Sequence, residues 1–142
     1  MNCFTLLGQP VAKARPRVTR THTYTPQKTI DYEAAIKIEY LRKYKEIITS
    51  KIHMNIRAYM QIPKSTNKKD KVDMISGDIR PTKRPDIDNI LKIVLDGLNG
   101  VAYTDDSLVV SASVSKWYSD EPRLEVEIIW ESGMGVKWNE GN

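Results

Sequence analysis

RPDIDNILKIVLDGLNGVAYTDD, running from Arg84 to Asp106, reads as one amphipathic helix closed by a tight acidic turn. Ile87, Ile90, Leu91, Val94, Leu95 and Leu98 recur at helical spacing on one stripe, and Asn99-Gly100 supplies the stop. At 100° per residue, Asp88, Lys92 and Asp96 lie within about 80° of one another along one edge of that helix. Asp86 falls on another face and is expected at the cap, where the backbone is still extended. Asp105 and Asp106 follow in the turn. Carboxylates gathered this way repel one another by several kcal/mol per pair at about 4 Å. They must take up protons, hold a hard cation such as Mg²⁺, or stay apart as solvated helix and turn residues.

Working outward, the flanking segments set the fold class. Residues 3–9 read as a first strand that Gly8 and Pro10 end. Thr25-Pro26 reads as N-cap and N1 of a helix running to about Lys45, with Ile30, Ala34, Ile38 and Leu41 as its apolar face. Between Ile52 and Ile62 the alternation is nearly complete: Ile52, Met54, Ile56, Ala58, Met60 and Ile62 face one way, and His53, Asn55, Arg57, Tyr59 and Gln61 the other. Residues 64–80 read as a mobile charged excursion with one helical turn from Lys68 to Ile75. Two strands, 108–117 and 124–130, close the pattern with a hairpin at Glu121-Pro122. The order β-α-β-(excursion)-α-β-β predicts an α+β fold, a small mixed sheet with helices packed on one side. A single domain is expected over 1–131, with a polar tail from 132 to 142 in which Trp138 is either a docked anchor or a partner contact.

Charge distribution narrows the function. The formal net charge is +4. Lys13, Arg15, Arg17, Arg20 and Lys28 stand in a stretch without a single acid, Arg80, Lys83 and Arg84 directly precede the acidic motif, and the chain turns net acidic after Pro122. Cations collected beside carboxylates suit a phosphate backbone that is bound and then attacked, although a solvated surface loop has the same composition. Tyr24 in the basic loop either stacks on a base or packs against its own domain. His53 reads as an ordinary surface histidine. The single cysteine, Cys3, excludes an internal disulfide, and with no signal-like or membrane-spanning apolar run a cytoplasmic protein is expected. No pairing suited to a covalent nucleophile is evident.

The same segment resembles the acidic core of the RusA-type Holliday-junction resolvases, R-x-D-x-D-N-[LI]-x-K-x-x-x-D-[AG]-L, a short spacer, then D-D. Arg84, Asp86, Asp88, Asn89, Ile90, Lys92, Asp96, Gly97, Leu98, Asp105 and Asp106 fill every fixed position. The KARPRVTR…YTP segment is similar to one subgroup of that family. The chain departs from compact members in its longer 64–80 excursion and in the residues beyond 131.

The resemblance implies a homodimeric endodeoxyribonuclease that binds four-way DNA junctions and nicks two strands symmetrically with Mg²⁺, Mn²⁺ substituting. It implies metal ligands at Asp86, Asp88 and Asp106, with Asp105 auxiliary, and a catalytic lysine at Lys92. Asp96 would position Lys92, and Asn89 would support the motif. Lys13, Arg15, Arg17, Arg20, Arg80, Lys83 and Arg84 are the expected DNA contacts. Rival readings are another Mg²⁺-dependent nuclease acting on flaps or RNA, a branched-DNA-binding module without catalysis, and a small phosphotransfer or metal-storage domain.

Overall fold

The structure, a computed structural model, describes residues 1–131 and, for the backbone alone, 136–138. Its centre is the strand Ile52–Gln61, and the alternation that defines this strand is borne out: Ile52, Met54, Ile56, Ala58 and Met60 are all buried, while His53 and Gln61 are exposed. In chain order the elements are β1 (Asn2–Leu7), β2 (Arg17–Val18), β3 (Thr23–Tyr24), α1 (Gln27–Lys43), β4 (Glu46–Ile48), β5 (Ile52–Gln61), α2 (Lys68–Ser76), α3 (Ile87–Leu98), β6 (Val109–Ser119), β7 (Arg123–Ile129) and β8 (Val136–Trp138). A 3₁₀ turn, Asp106–Leu108, leads into β6. The α+β class is therefore as expected.

The main sheet has the order β1-β7-β5-β6, in which β5 pairs antiparallel with β7 and parallel with β6. The expected hairpin at Glu121-Pro122 does not exist. β6 and β7 flank β5 on opposite sides, and residues 120–122 cross over its end. Neighbouring strands in sequence usually pair, but β5 presents the longest apolar face and takes the centre, where both of its edges are hydrogen-bonded.

Helices α1 and α3 cover the apolar face of the sheet. Ile90, Ile93, Val94 and Leu98 of α3 join Phe4, Ile56, Leu124, Val126 and Ile128 of the strands in one core. Burying each such side chain contributes about 1.5–3 kcal/mol. The face of α1 is not the one expected: Ile30 and Ile38 are exposed, Ala34 is exposed with them, and Thr29, Ile36 and Tyr40 point inward. The tyrosines account for the rotation. Tyr32, Tyr40 and Tyr44 bring more apolar area than Ile and Ala. The Tyr40 hydroxyl donates to Glu46 O at 2.8 Å and the Tyr44 hydroxyl to Cys3 O at 3.0 Å, so two of these rings place polar tips on partners.

The excursion carries the helical segment expected from Lys68 to Ile75, extended by one residue. Its middle is a capped helix, α2, in which Asn67 Oδ1 accepts from Asp70 N and Gly77 at φ 89° closes the C-terminus. It is held down because the Gly77 backbone lies against the Trp117 ring, where a Cβ would come within 3.0 Å. Residues 136–138, assigned to a polar tail by sequence, pair antiparallel with β4, with Glu46 opposite Trp138. The Trp138 side chain itself lies outside the described residues.

The two main helices approach closely at Gly97, where a Cβ would stand 3.0–3.1 Å from three atoms of Ile36. Lys37 of α1 reaches across this contact and donates to Asp96 O at 3.2 Å and Gly97 O at 2.7 Å, satisfying carbonyls that the end of α3 leaves open. Gly97→Ala should lower stability by about 1–2 kcal/mol, because overpacking outweighs the gain in helix propensity. A lower urea midpoint at unchanged m would show it, and an unchanged or higher midpoint would refute the close contact.

Candidate active site

Asp86 occupies the N-cap of α3 at φ −78°, ψ 150°, the extended backbone expected there. Its carboxylate caps nothing. Asp88, in the first turn, accepts from Asn89 N at 3.0 Å, and both aspartates are exposed. Lys92 lies one turn on and pairs with Asp96 at 3.6 Å, the i, i+4 pair that the helical angles require. Asp88 and Asp96 are separated by about 12 Å of helix rise. One small cation therefore cannot join them, and Asp96 belongs to the lysines.

Asp96 has a second partner that sequence reasoning did not supply. Lys13 Nζ sits 3.1 Å from Asp96 Oδ2 and also binds Glu33 of α1, while Lys13 N donates to Asn89 O at 2.9 Å. The basic segment 11–14 is thereby tied to both helices. Burial disfavours the Lys13 ammonium, but the hydrogen bonds to Glu33 and Asp96 more than offset it and hold its pKa above the ordinary 10.5. Nothing in the sequence pairs Glu33 with Lys13, since 20 residues and a change of element lie between them.

Asp105 and Asp106 stand in the turn that follows Tyr103 and leads into β6. The Tyr103 hydroxyl, buried beneath them, donates to Leu95 O at 2.6 Å. Burial first, then the charges of Asp106, Asp96 and Asp105, raise its pKa strongly. Asp105 accepts from Ser107 N at 3.2 Å and from the Ser107 hydroxyl, and these bonds keep its carboxyl below the ordinary 3.8. Among the described residues no hydrogen bond or ion pair ties Asp105 or Asp106 to Asp86 or Asp88. Nor do these residues include a group of three or more His, Cys, Asp or Glu gathered closely enough to hold a metal ion by themselves.

Beside the N-terminus of α3 lies a cleft of about 1050 Å³. One wall is the strap of residues 9–17, another is the start of α1, and the third is formed by residues 84–89. Lys13, Arg15, Arg17, Lys28 and Arg84 line it, and Asp86 is the one acidic residue on its described lining. The remaining basic residues lie elsewhere. Arg20 is exposed at the tip of the β2–β3 ribbon, and Lys83 is exposed beyond the rim.

Arg80 is engaged in the scaffold. Its guanidinium lies 3.3 Å over the Trp117 ring and its Nε donates to Lys116 O at 2.6 Å. Lys116 Nζ in turn donates to Lys83 O and Pro85 O, on either side of the cis Arg84-Pro85 peptide. Lys116 and Trp117 thus hold the loop that delivers Asp86. Their only sequence signal is a bulky cationic-aromatic pair in an otherwise small-residue strand.

The donor set consists of hard oxygens. Mg²⁺ typically binds through one or two carboxylates, waters and substrate phosphates and needs no full protein cage. The exposed carboxylates of Asp86 and Asp88, next to a cleft that suits phosphates, fit such an ion.

A model of the Endodeoxyribonuclease RusA family matches residues 8–129. The uncharacterized protein YqaN of Bacillus subtilis (strain 168) is 41% identical over 137 residues, which cover 90% of this chain and 96% of that one.

Two predictions test this geometry. Ser107→Ala should raise the Asp105 pKa toward the ordinary 3.8 in a carboxyl-carbon NMR titration. A depressed carboxyl stabilises the fold above its unfolded pKa and loses that effect as pH falls through its folded value, so the variant should lose less stability on the acid side. Lys13→Met should cost about 1–2 kcal/mol, between the values for exposed and buried ion pairs. Hydrogen exchange at Lys13 N should accelerate with it, and retained protection there would refute the clamp.

Proposed function

This chain belongs to the RusA endodeoxyribonuclease family, and we propose that it resolves four-way DNA junctions by paired, divalent-metal-dependent nicks. Membership implies an endodeoxyribonuclease, a hydrolase of DNA phosphodiester bonds, that binds branched DNA. The observation that carries the finer reading is Asp86: a helix N-cap carboxylate that caps nothing, and, among the described residues, the single acid on a cleft lined by five cationic residues.

In this reading Asp86 and Asp88 would hold Mg²⁺ or Mn²⁺, and the family motif would add Asp106 as a third ligand with Asp105 in support, although the described residues do not gather these carboxylates in one group. The ion supplies Lewis-acid polarisation of the scissile phosphate when bound. The chain's own residues do the rest. Arg15, Arg17, Lys28 and Arg84 receive backbone phosphates along the cleft and fix the register of the strand. Lys92, steered by Asp96, places its ammonium where negative charge grows on the phosphate oxygens as water adds to phosphorus. Lys13 acts through Asp96 and Glu33 to hold the strap against α3, and Arg80 anchors the loop that carries Arg84. Two copies related by a two-fold axis match the approximate two-fold symmetry of a junction, so the working form is a homodimer.

The test is cleavage of a synthetic four-way junction, plain duplex, flap and RNA with Mg²⁺ by wild-type protein, Asp88→Asn and Arg15→Ala/Arg17→Ala. Junction nicking at symmetric positions is expected, abolished in Asp88→Asn with binding retained. Arg15→Ala/Arg17→Ala should bind more weakly, with a salt dependence shallower by about two units of log-log slope. Equal cutting of plain duplex, or full cleavage by Asp88→Asn, would overturn the proposal. Sedimentation of the free protein as a monomer would remove the dimer.

A further inference from the structure

The structure decides what Tyr24 does not do. It is absent from the core and from the side chains packed against it, and it is 47% exposed. Its one described ring neighbour is His22, with centroids 5.9 Å apart and planes tilted by 43°. Packing within its own domain therefore does not explain a large aromatic at this position.

The ribbon that carries Tyr24 is stiff for its size. Thr19 N donates to His22 O at 2.8 Å, the Thr19 hydroxyl donates to the same oxygen at 2.9 Å, and His22 N donates back to Thr19 Oγ1 at 3.1 Å. The tip from Thr19 to His22 is closed by both backbone and side chain. Below it, Tyr24 stands directly opposite Arg17, and Thr23 opposite Val18. Directly opposed residues share a face of the ribbon. Tyr24 thus shares the face of Arg17, which lines the cationic cleft. Val18, 79% exposed, shares the other face with Thr23.

We propose that Tyr24 is a stacking platform for a nucleobase unstacked at the branch point of DNA whose phosphates lie in the adjacent cleft. This rests on the junction-binding reading above and adds to it the contact that distinguishes a branch from continuous duplex. A phosphate-binding cleft reads charge, which branched and unbranched DNA share. An exposed aromatic reads an accessible base face, which duplex hides within its stack. Arg17 beside the ring contributes a planar cation suited to the phosphate of the same nucleotide or to the second face of the base.

The test uses a four-way junction carrying 2-aminopurine at the branch point, and a second junction with the probe in the middle of an arm, without divalent ions. Wild-type protein should change the fluorescence of the first and not of the second. Tyr24→Phe should behave as wild type. Tyr24→Ala and Tyr24→Leu should lose the signal and bind the junction roughly tenfold more weakly; the leucine variant keeps apolar bulk on the ribbon, so a folding defect in the alanine variant does not decide the matter.

Val18→Ser, on the opposite face, should leave both signal and affinity unchanged. Retention of the branch-point signal in Tyr24→Leu overturns the stacking role while leaving junction binding intact. Equal loss in Val18→Ser overturns the assignment to one face, and a change in self-association in place of DNA binding makes Tyr24 an interface residue. Failure of the wild-type protein to prefer junction over duplex overturns both this proposal and the reading beneath it.

Discussion

Parallel pairing of β5 with β6 is the constraint from which the rest of the molecule follows. Two parallel strands in one sheet cannot be joined by a tight turn and need a long crossover. Here residues 62–108 make it, and they contain α2, α3 and the acidic motif. The crossover passes over the polar face at Trp117, is fastened by Arg80 and Lys116, and returns on the apolar face as α3. Where Asp86 emerges is thus set by how the loop is pinned to β6.

A second constraint is electrostatic. Asp96 serves two lysines, one from its own helix and one from the basic strap, while Glu33 takes a share of Lys13. Such partly buried networks contribute little net stability when complete and cost more when one partner is removed. Their consequence here is positional: the strap is drawn against α3 beside Asn89, and the cleft exists because the strap is held there. The polar face of the sheet is organised in the same manner. Arg57 bridges Glu125 and Glu127, Arg123 holds Glu125, and burial of Glu125 is more than offset by those two arginines, so its carboxyl stays below its ordinary value.

Much of this was legible in the chain because it is local. The alternation of Ile52 to Gln61, the stripe of α3 apart from the exposed Ile87, the extended backbone at Asp86 and the Lys92–Asp96 pair all depend on residues a few positions apart, where period and propensity decide. The α1 face was misread for an informative reason. Ile30, Ala34 and Ile38 have the right spacing, but Tyr40 and Tyr44 bury more apolar area and find acceptors at Glu46 and Cys3, which are fixed only when β1 and β4 are in place. The hairpin was misread because adjacency in sequence says nothing about a third strand inserting between two others.

By itself the sequence determined the class of fold, the helix bearing the aspartates, the excess of cations around it and the family motif, since each follows from short-range spacing or residue identity. Tertiary structure alone decided the parallel β5–β6 pair, the diversion of Lys13 and Arg80 to scaffold partners, the burial of Tyr103 with its hydroxyl on Leu95 O, and the half-exposed position of Tyr24. Most of those outcomes join residues far apart in the chain, up to 83 positions for Lys13 and Asp96. Which partner a charge or a ring finds at that range depends on the strand order and on competition for buried area, and neither is written in any single stretch of the chain.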